Sequence, residues 1–80
     1  MYGTTEWWGI QEKIAKEASW DSLSYMHKDC MDARDAMDGI LKGGNGSEKT
    51  RLKYNEYADL CCIFGQEIKR RQKGIFQTAP

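Results

Sequence analysis

Residues 23–40 read LSYMHKDCMDARDAMDGI, and the spacing of their apolar positions decides the fold. Leu23, Met26, Cys30, Ala33, Met37 and Ile40 follow one another at steps of three, four, three, four and three, which places all six on one stripe of an α-helix. A strand would need alternation, and this stretch has none. Outward from that stripe, Pro80 is the only proline, and three of the eight glycines fall in Lys42-Gly43-Gly44-Asn45-Gly46-Ser47, the composition of a turn. Nothing on either side of the turn forbids helix, because both flanks are rich in Ala, Met, Glu, Lys and Leu.

An all-α chain follows: an antiparallel helical hairpin with a short N-terminal helix. Upstream, Trp7, Ile10, Ile14 and Ala18 form a second stripe, but the step from Ala18 to Leu23 is five and throws the two out of register. Ser19, Asp21 and Ser22 supply caps there, so the sequence predicts a first helix over about 5–18 and a second over about 21–41, with one bent helix as the alternative. After the turn, over about 42–47, Asn45 and Glu48 resemble a capping box. Tyr54, Tyr57, Cys61, Phe64, Ile68 and Ile75 then carry a third helix over about 46–73. Position 27 is expected opposite position 61, with the turn centred near residue 44. The long third helix outruns the second, and the first folds back over its end.

Eighty residues make one domain, 1–80, whose own core supplies only a few kcal/mol of net stability. Help from a metal, a disulfide or a partner chain is therefore expected. No stretch approaches the roughly 18 apolar residues of a membrane span, and no charged leader precedes an apolar block, so the sequence predicts a soluble, cytoplasmic protein with no membrane partner. Twelve bases balance twelve acids, which removes the compositional case for nucleic-acid or anionic-membrane binding. Acids outnumber bases six to two over residues 17–38, whereas bases lead seven to four over 48–80, so the two hairpin helices are expected to attract each other.

Candidate residues each carry two readings. Asp29, Asp32, Asp35 and Asp38 recur every third residue and drift around the helix, so they form a solvated face or a ribbon that meets a basic groove, never one ion site. His27, Cys30 and Cys61 have the chemistry of a zinc set, but both cysteines fall on apolar stripes, and packing is the reading taken. Three cysteines, two of them adjacent, argue against disulfides. A Cys–His pair without an orienting residue or an oxyanion turn argues against catalysis, so neither enzyme activity nor a cofactor is expected.

Trp7 and Trp8 cannot both face one helical core, and the one left over anchors a subunit interface or stacks on a base. Leu60 and Ile63 widen the apolar stripe of the third helix beyond what a hairpin covers, which points to self-association. Interface candidates are thus Trp7, Leu60 and Ile63, with Asp29, Asp32 and Asp35 toward a protein partner. Trp8, Lys49 and Arg51 are candidates for contacting an anionic ligand, and Lys69, Arg70, Arg71 and Lys73 end the third helix either as dipole-matched cations or as a DNA contact.

The helix, the glycine-bearing turn and Ser47-Glu48-Lys49-Thr50 opening a long helix resemble the small phage-encoded helical-hairpin proteins that antagonise bacterial defence, of the anti-CBASS cyclic-oligonucleotide sponge type. The resemblance spans about residues 25–71 and implies a homo-oligomer that does no chemistry and sequesters a signalling nucleotide between subunits. It also implies Tyr25 and Lys28 as ligand contacts. Trp7-Trp8 and Cys61-Cys62 have no counterpart in that pattern. The sequence therefore predicts a non-enzymatic, homo-oligomeric antagonist that binds a cyclic nucleotide. Its alternatives are an anti-CRISPR-like inhibitor of a host defence protein and a small DNA-binding regulator.

Overall fold

A computed structural model describes residues 2–78, with side chains as far as Lys73; Ile75 and Pro80 of the sequence reading lie outside the described side chains. The described residues form three helices: α1 over Thr5–Glu17, α2 over Trp20–Lys42 and α3 over Glu48–Thr78. The fold is all-α, with α2 and α3 paired as a hairpin and α1 packed on α3.

Each boundary has a local cause. Thr4 accepts a hydrogen bond from the Trp7 amide at 3.1 Å and starts α1. Ala18 and Ser19 are both extended, which separates α1 from α2 and rules out a single bent helix. Ser19 then caps α2 by accepting from the Ser22 amide at 3.2 Å. The start of α3 corrects the sequence reading. Ser47 and Thr50 form the reciprocal cap, each side-chain oxygen accepting from the other residue's amide at 3.3 Å, so α3 begins two residues later than expected and Asn45 stays in the turn.

Two glycines make that turn possible. Gly44 sits at φ 77°, a left-handed conformation, and a Cβ at Gly46 would run into the Leu41 side chain.

The turn is centred one to two residues later than expected, and the hairpin register moves with it. His27 lies against Gly65 rather than Cys61, one helical turn farther along α3. Cys30 takes the place beside Cys61.

The core is small. Ala15, Leu23, Cys30, Cys61, Ile63 and Phe64 are buried, and Leu23 alone combines bulk with complete burial. Trp7, Trp8, Met26, Met31, Leu60 and Ile68 close around them. Both tryptophans of α1 therefore pack, straddling the α1–α3 seam, and the exposed one is Trp20. Leu60 and Ile63 are covered within the subunit, because α1 lies over the face of α3 that they widen. Ile63 thus belongs to the core, and Trp7 is half-buried against it. Along α1 the buried position is Ala15, one residue beyond the stripe read from the sequence, and Ile10 and Ile14 are left outside.

α1 runs parallel to α3 and is fastened at both ends. At its start the Tyr2 hydroxyl donates to Asp59 at 2.5 Å. At its end the Arg71 guanidinium donates to the carbonyls of Ala15, Lys16 and Ala18 at 3.1, 3.2 and 2.6 Å, satisfying groups that a helix C-terminus otherwise leaves orphaned. The buried Glu67 holds Arg71 in place at 2.8 Å and binds Arg70 at 2.9 and 2.6 Å.

The expected attraction between α2 and α3 is not how charge is used. Every ion pair among the described residues joins neighbours on one helix: Lys28–Asp32, Arg34–Asp35, Lys42–Asp38, Lys53–Glu56 and Glu67 with Arg70 and Arg71. Apolar packing makes the hairpin, and Asp32, Asp35 and Asp38 of α2 are paired within their own helix.

Candidate functional site

The side of the hairpin away from α1 carries a groove of about 550 Å³ along the α2–α3 seam. Helical phase builds it. On α2, Leu23 and Cys30 point into the seam, and His27, Met31 and Arg34, at steps of four and three, line its outer flank. On α3, Ala58, Cys62, Gly65, Lys69 and Gln72 repeat at four, three, four and three and form the opposite wall, with Cys61 and Ile68 below. Gly65 lets the walls approach, since a Cβ there would lie 3.3 Å from His27 Nε2.

The chemistry of the lining is one-sided. Arg34 and Lys69 offer positive charge, His27 its ring nitrogens, Gln66 and Gln72 add amides, and among the described residues no carboxylate lines the groove. Arg34 is steadied from outside by Asp35, through bonds of 3.2 and 3.3 Å. The floor is apolar and sulfur-rich, from Met31, Cys61, Cys62 and Ile68. Polarizable sulfur of this kind packs well against a flat heteroaromatic ring.

Two of the three thiols, Cys30 and Cys61, are buried at this seam. Burial pushes Cys30 up to about 11, with Cys61 and Asp29 adding to the shift. Burial also raises Cys61, only partly opposed by Arg34. Both stay protonated at neutral pH, and the nucleophile in cysteine chemistry is the thiolate. No three of His, Cys, Asp and Glu converge as a metal-ligand set among the described residues. His27 has moved one turn away from Cys61, which separates the three zinc candidates.

The ligand residues read from the sequence are dispersed over three other places. Trp8 borders a cleft of about 440 Å³ at the start of α1, with Tyr2, Thr4, Thr5, Glu12 and Asp59. Two carboxylates give that cleft the wrong sign for an anion. The Tyr2 hydrogen bond to Asp59 drives the phenol up to about 12 and keeps it a donor. Tyr25 stands out from α2, 72% exposed, and Lys28 is tied to Asp32 at 2.9 Å. Arg51 sits at the turn beside Glu48, Ser47 and Leu41, and Lys49 is exposed there. Of the acidic candidates, Asp32 and Asp35 are exposed but paired to Lys28 and Arg34, and Asp29 is exposed.

His27, Arg34 and Lys69 are the residues that sequence reasoning missed as a group. Their signal was present: His27 and Arg34 are seven apart on α2 and Lys69 lies four beyond Gly65, but only the true hairpin register brings them to one groove. The basic run at the end of α3 is also divided in use. Arg71 closes α1, Arg70 binds Glu67, and Lys69 alone of these three faces the groove.

Compared with known proteins, the chain matches no family model, no curated protein and no solved structure.

Proposed function

We propose that this chain is a non-enzymatic binding protein that takes an anionic, nucleotide-type ligand in the α2–α3 groove and acts as a homo-oligomer. The observation that carries the reading is the lining: three cationic or donor side chains, His27, Arg34 and Lys69, over a sulfur-rich floor without a carboxylate, in a chain of net charge zero. The groove volume of about 550 Å³ falls within the range of small-molecule sites. Arg34 offers the guanidinium N–H groups that Asp35 does not take, Lys69 a point charge, and the Met31 and Cys62 side a surface for a base. A protein that binds such a ligand and does nothing to it sequesters it. In a phage, that activity antagonises a defence system that signals through cyclic nucleotides.

Thermal unfolding against inorganic phosphate and a panel of cyclic di- and trinucleotides tests this. A ligand at about a hundred times its Kd stabilises by about 2.7 kcal/mol, which raises Tm by upwards of about 10 °C in a domain of this size. The paired variant Arg34→Ala and Lys69→Ala should abolish that rise. No shift across the panel, or a shift that the variant retains, removes the groove from the account.

The DNA-binding alternative has less to work with, since Arg70 and Arg71 are engaged within the subunit. The acidic-face inhibitor is likewise weakened by the local pairing of Asp32 and Asp35.

A further inference from the structure

The cleft of about 440 Å³ at the start of α1 shares no residue with the anion groove, and its walls select the opposite charge. Thr5, Trp8, Gly9 and Glu12 form its α1 wall, one face of the helix at steps of three, one and three. Asp59 comes from α3 and Tyr2 from the segment before α1. Among the described residues, no Lys, Arg or His lines it.

The cleft is preformed. Gly3, at φ 91°, turns the chain in a conformation that other residues rarely adopt. Tyr2 is then held twice: its hydroxyl donates to Asp59 Oδ2 at 2.5 Å, and its ring meets that of Trp7 edge-on at 4.8 Å. That hydroxyl takes only Oδ2, which leaves Oδ1 of Asp59 for another donor. Glu12 makes no ion pair among the described residues, although Lys16 lies one turn along the same helix.

Gly9 is a separate observation. Glycine is a poor helix former, and no neighbour demands it here, since a Cβ would meet nothing within 4 Å. What glycine does at position 9 is keep a side chain out of the cleft, on the wall between Trp8 and Glu12.

Charge and shape name the occupant. A carboxylate only accepts hydrogen bonds, and an ammonium group only donates them, three at a time. An indole attracts the same cation and covers the methylenes beside it. Glu6 in the first turn offsets the positive end of α1, and the volume is that of a small-molecule site. We propose that this cleft binds an aliphatic diamine as a dication, its two ammonium groups on Asp59 and Glu12 and its methylenes along Trp8. The site is independent of the anion groove.

A nuclear magnetic resonance titration of the isotope-labelled chain with 1,4-diaminobutane at low salt tests it, with 1,4-butanediol as the neutral counterpart. Saturable shifts are expected at the Trp8 indole N–H, the Gly9 amide and the amides of residues 3–5, and none with the diol. Glu12 is exposed, so Glu12→Gln should keep the fold and raise Kd about two- to fivefold. Gly9→Leu should abolish the shifts with a Tm no lower than that of wild type, because leucine is the better helix former. A purely structural glycine would give the opposite pair of results. The proposal is overturned by no saturable shift, by an equal response to the diol, by shifts spread over the acids of α2, or by wild-type binding in Gly9→Leu. If Gly9→Leu does not fold, Glu12→Gln decides, and an unchanged Kd overturns the site. The diamine response should persist in the Arg34→Ala and Lys69→Ala variant, so failure of the anion groove and failure of this cleft are read separately.

Discussion

Glu67 and Arg71 do more than their surroundings suggest. Glu67 is 6% exposed, and the Arg70 hydrogen bonds first, with those of Arg71, hold its carboxyl down at about 2, against the desolvation that raises it. A folded pKa below the ordinary 4.5 means that its contribution is complete above about 4.5 and is lost as pH falls toward about 2. Glu67→Gln should therefore destabilise at neutral pH and flatten the acid limb of a stability-versus-pH profile over that window; an unchanged limb refutes the assignment. Arg71→Ala leaves three carbonyls and Glu67 without their guanidinium, and a loss of about 1–3 kcal/mol is expected in urea unfolding. None of this was legible in the run Glu67-Ile68-Lys69-Arg70-Arg71. Glutamate three and four residues before arginine looks the same on an exposed helix as on a buried one, and only the arrival of α1 decides which it is.

At the scale of elements, the helices themselves were plain in the sequence because period and punctuation agree: the stripe from Leu23 to Ile40, the glycine turn and the cap at Ser19. Which face α1 buries was not. Its Trp7–Ile10–Ile14–Ala18 stripe is the more apolar, yet Ala15 is the residue at 1% exposure, because close approach to α3 favours a small side chain at the crossing. Ala15→Leu should consequently cost about 1–3 kcal/mol by overpacking. Ile14→Ser, measured under dilute conditions, should stay within about 0.5 kcal/mol of wild type. The reverse order in chemical denaturation would restore the stripe as the buried face. The same scale explains the missed site. A turn centred on residue 44 pairs His27 with Cys61, whereas the Ser47–Thr50 cap delays α3 and hands His27 to Gly65. A shift of one helical turn is enough to dissolve a metal set and assemble a groove.

The whole molecule is a thin plate, 52 × 26 × 17 Å, with a radius of gyration of 14.7 Å where a compact chain of this length would have about 11.6 Å. A plate has two broad faces. Here one is half covered by α1, and the other holds the groove, so the packing of α1 and capture of the anion are divided between opposite sides. Coupling of folding to dimerisation predicts a Tm that depends on protein concentration, falling by about 3–5 °C for each tenfold dilution. A wild-type Tm that is independent of concentration would contradict a coupled dimer.

One consequence follows from how α1 begins. The Trp7 and Trp8 indoles lie 6.0 Å apart at 65°, with the Tyr2 ring 4.8 Å from Trp7 and nearly perpendicular to it. Chromophores held so close and at fixed angles couple their transitions, which makes the start of α1 a built-in optical gauge. Undocking the strap scrambles the angles before any helix melts, so its detachment can be timed by near-ultraviolet ellipticity without a single added label.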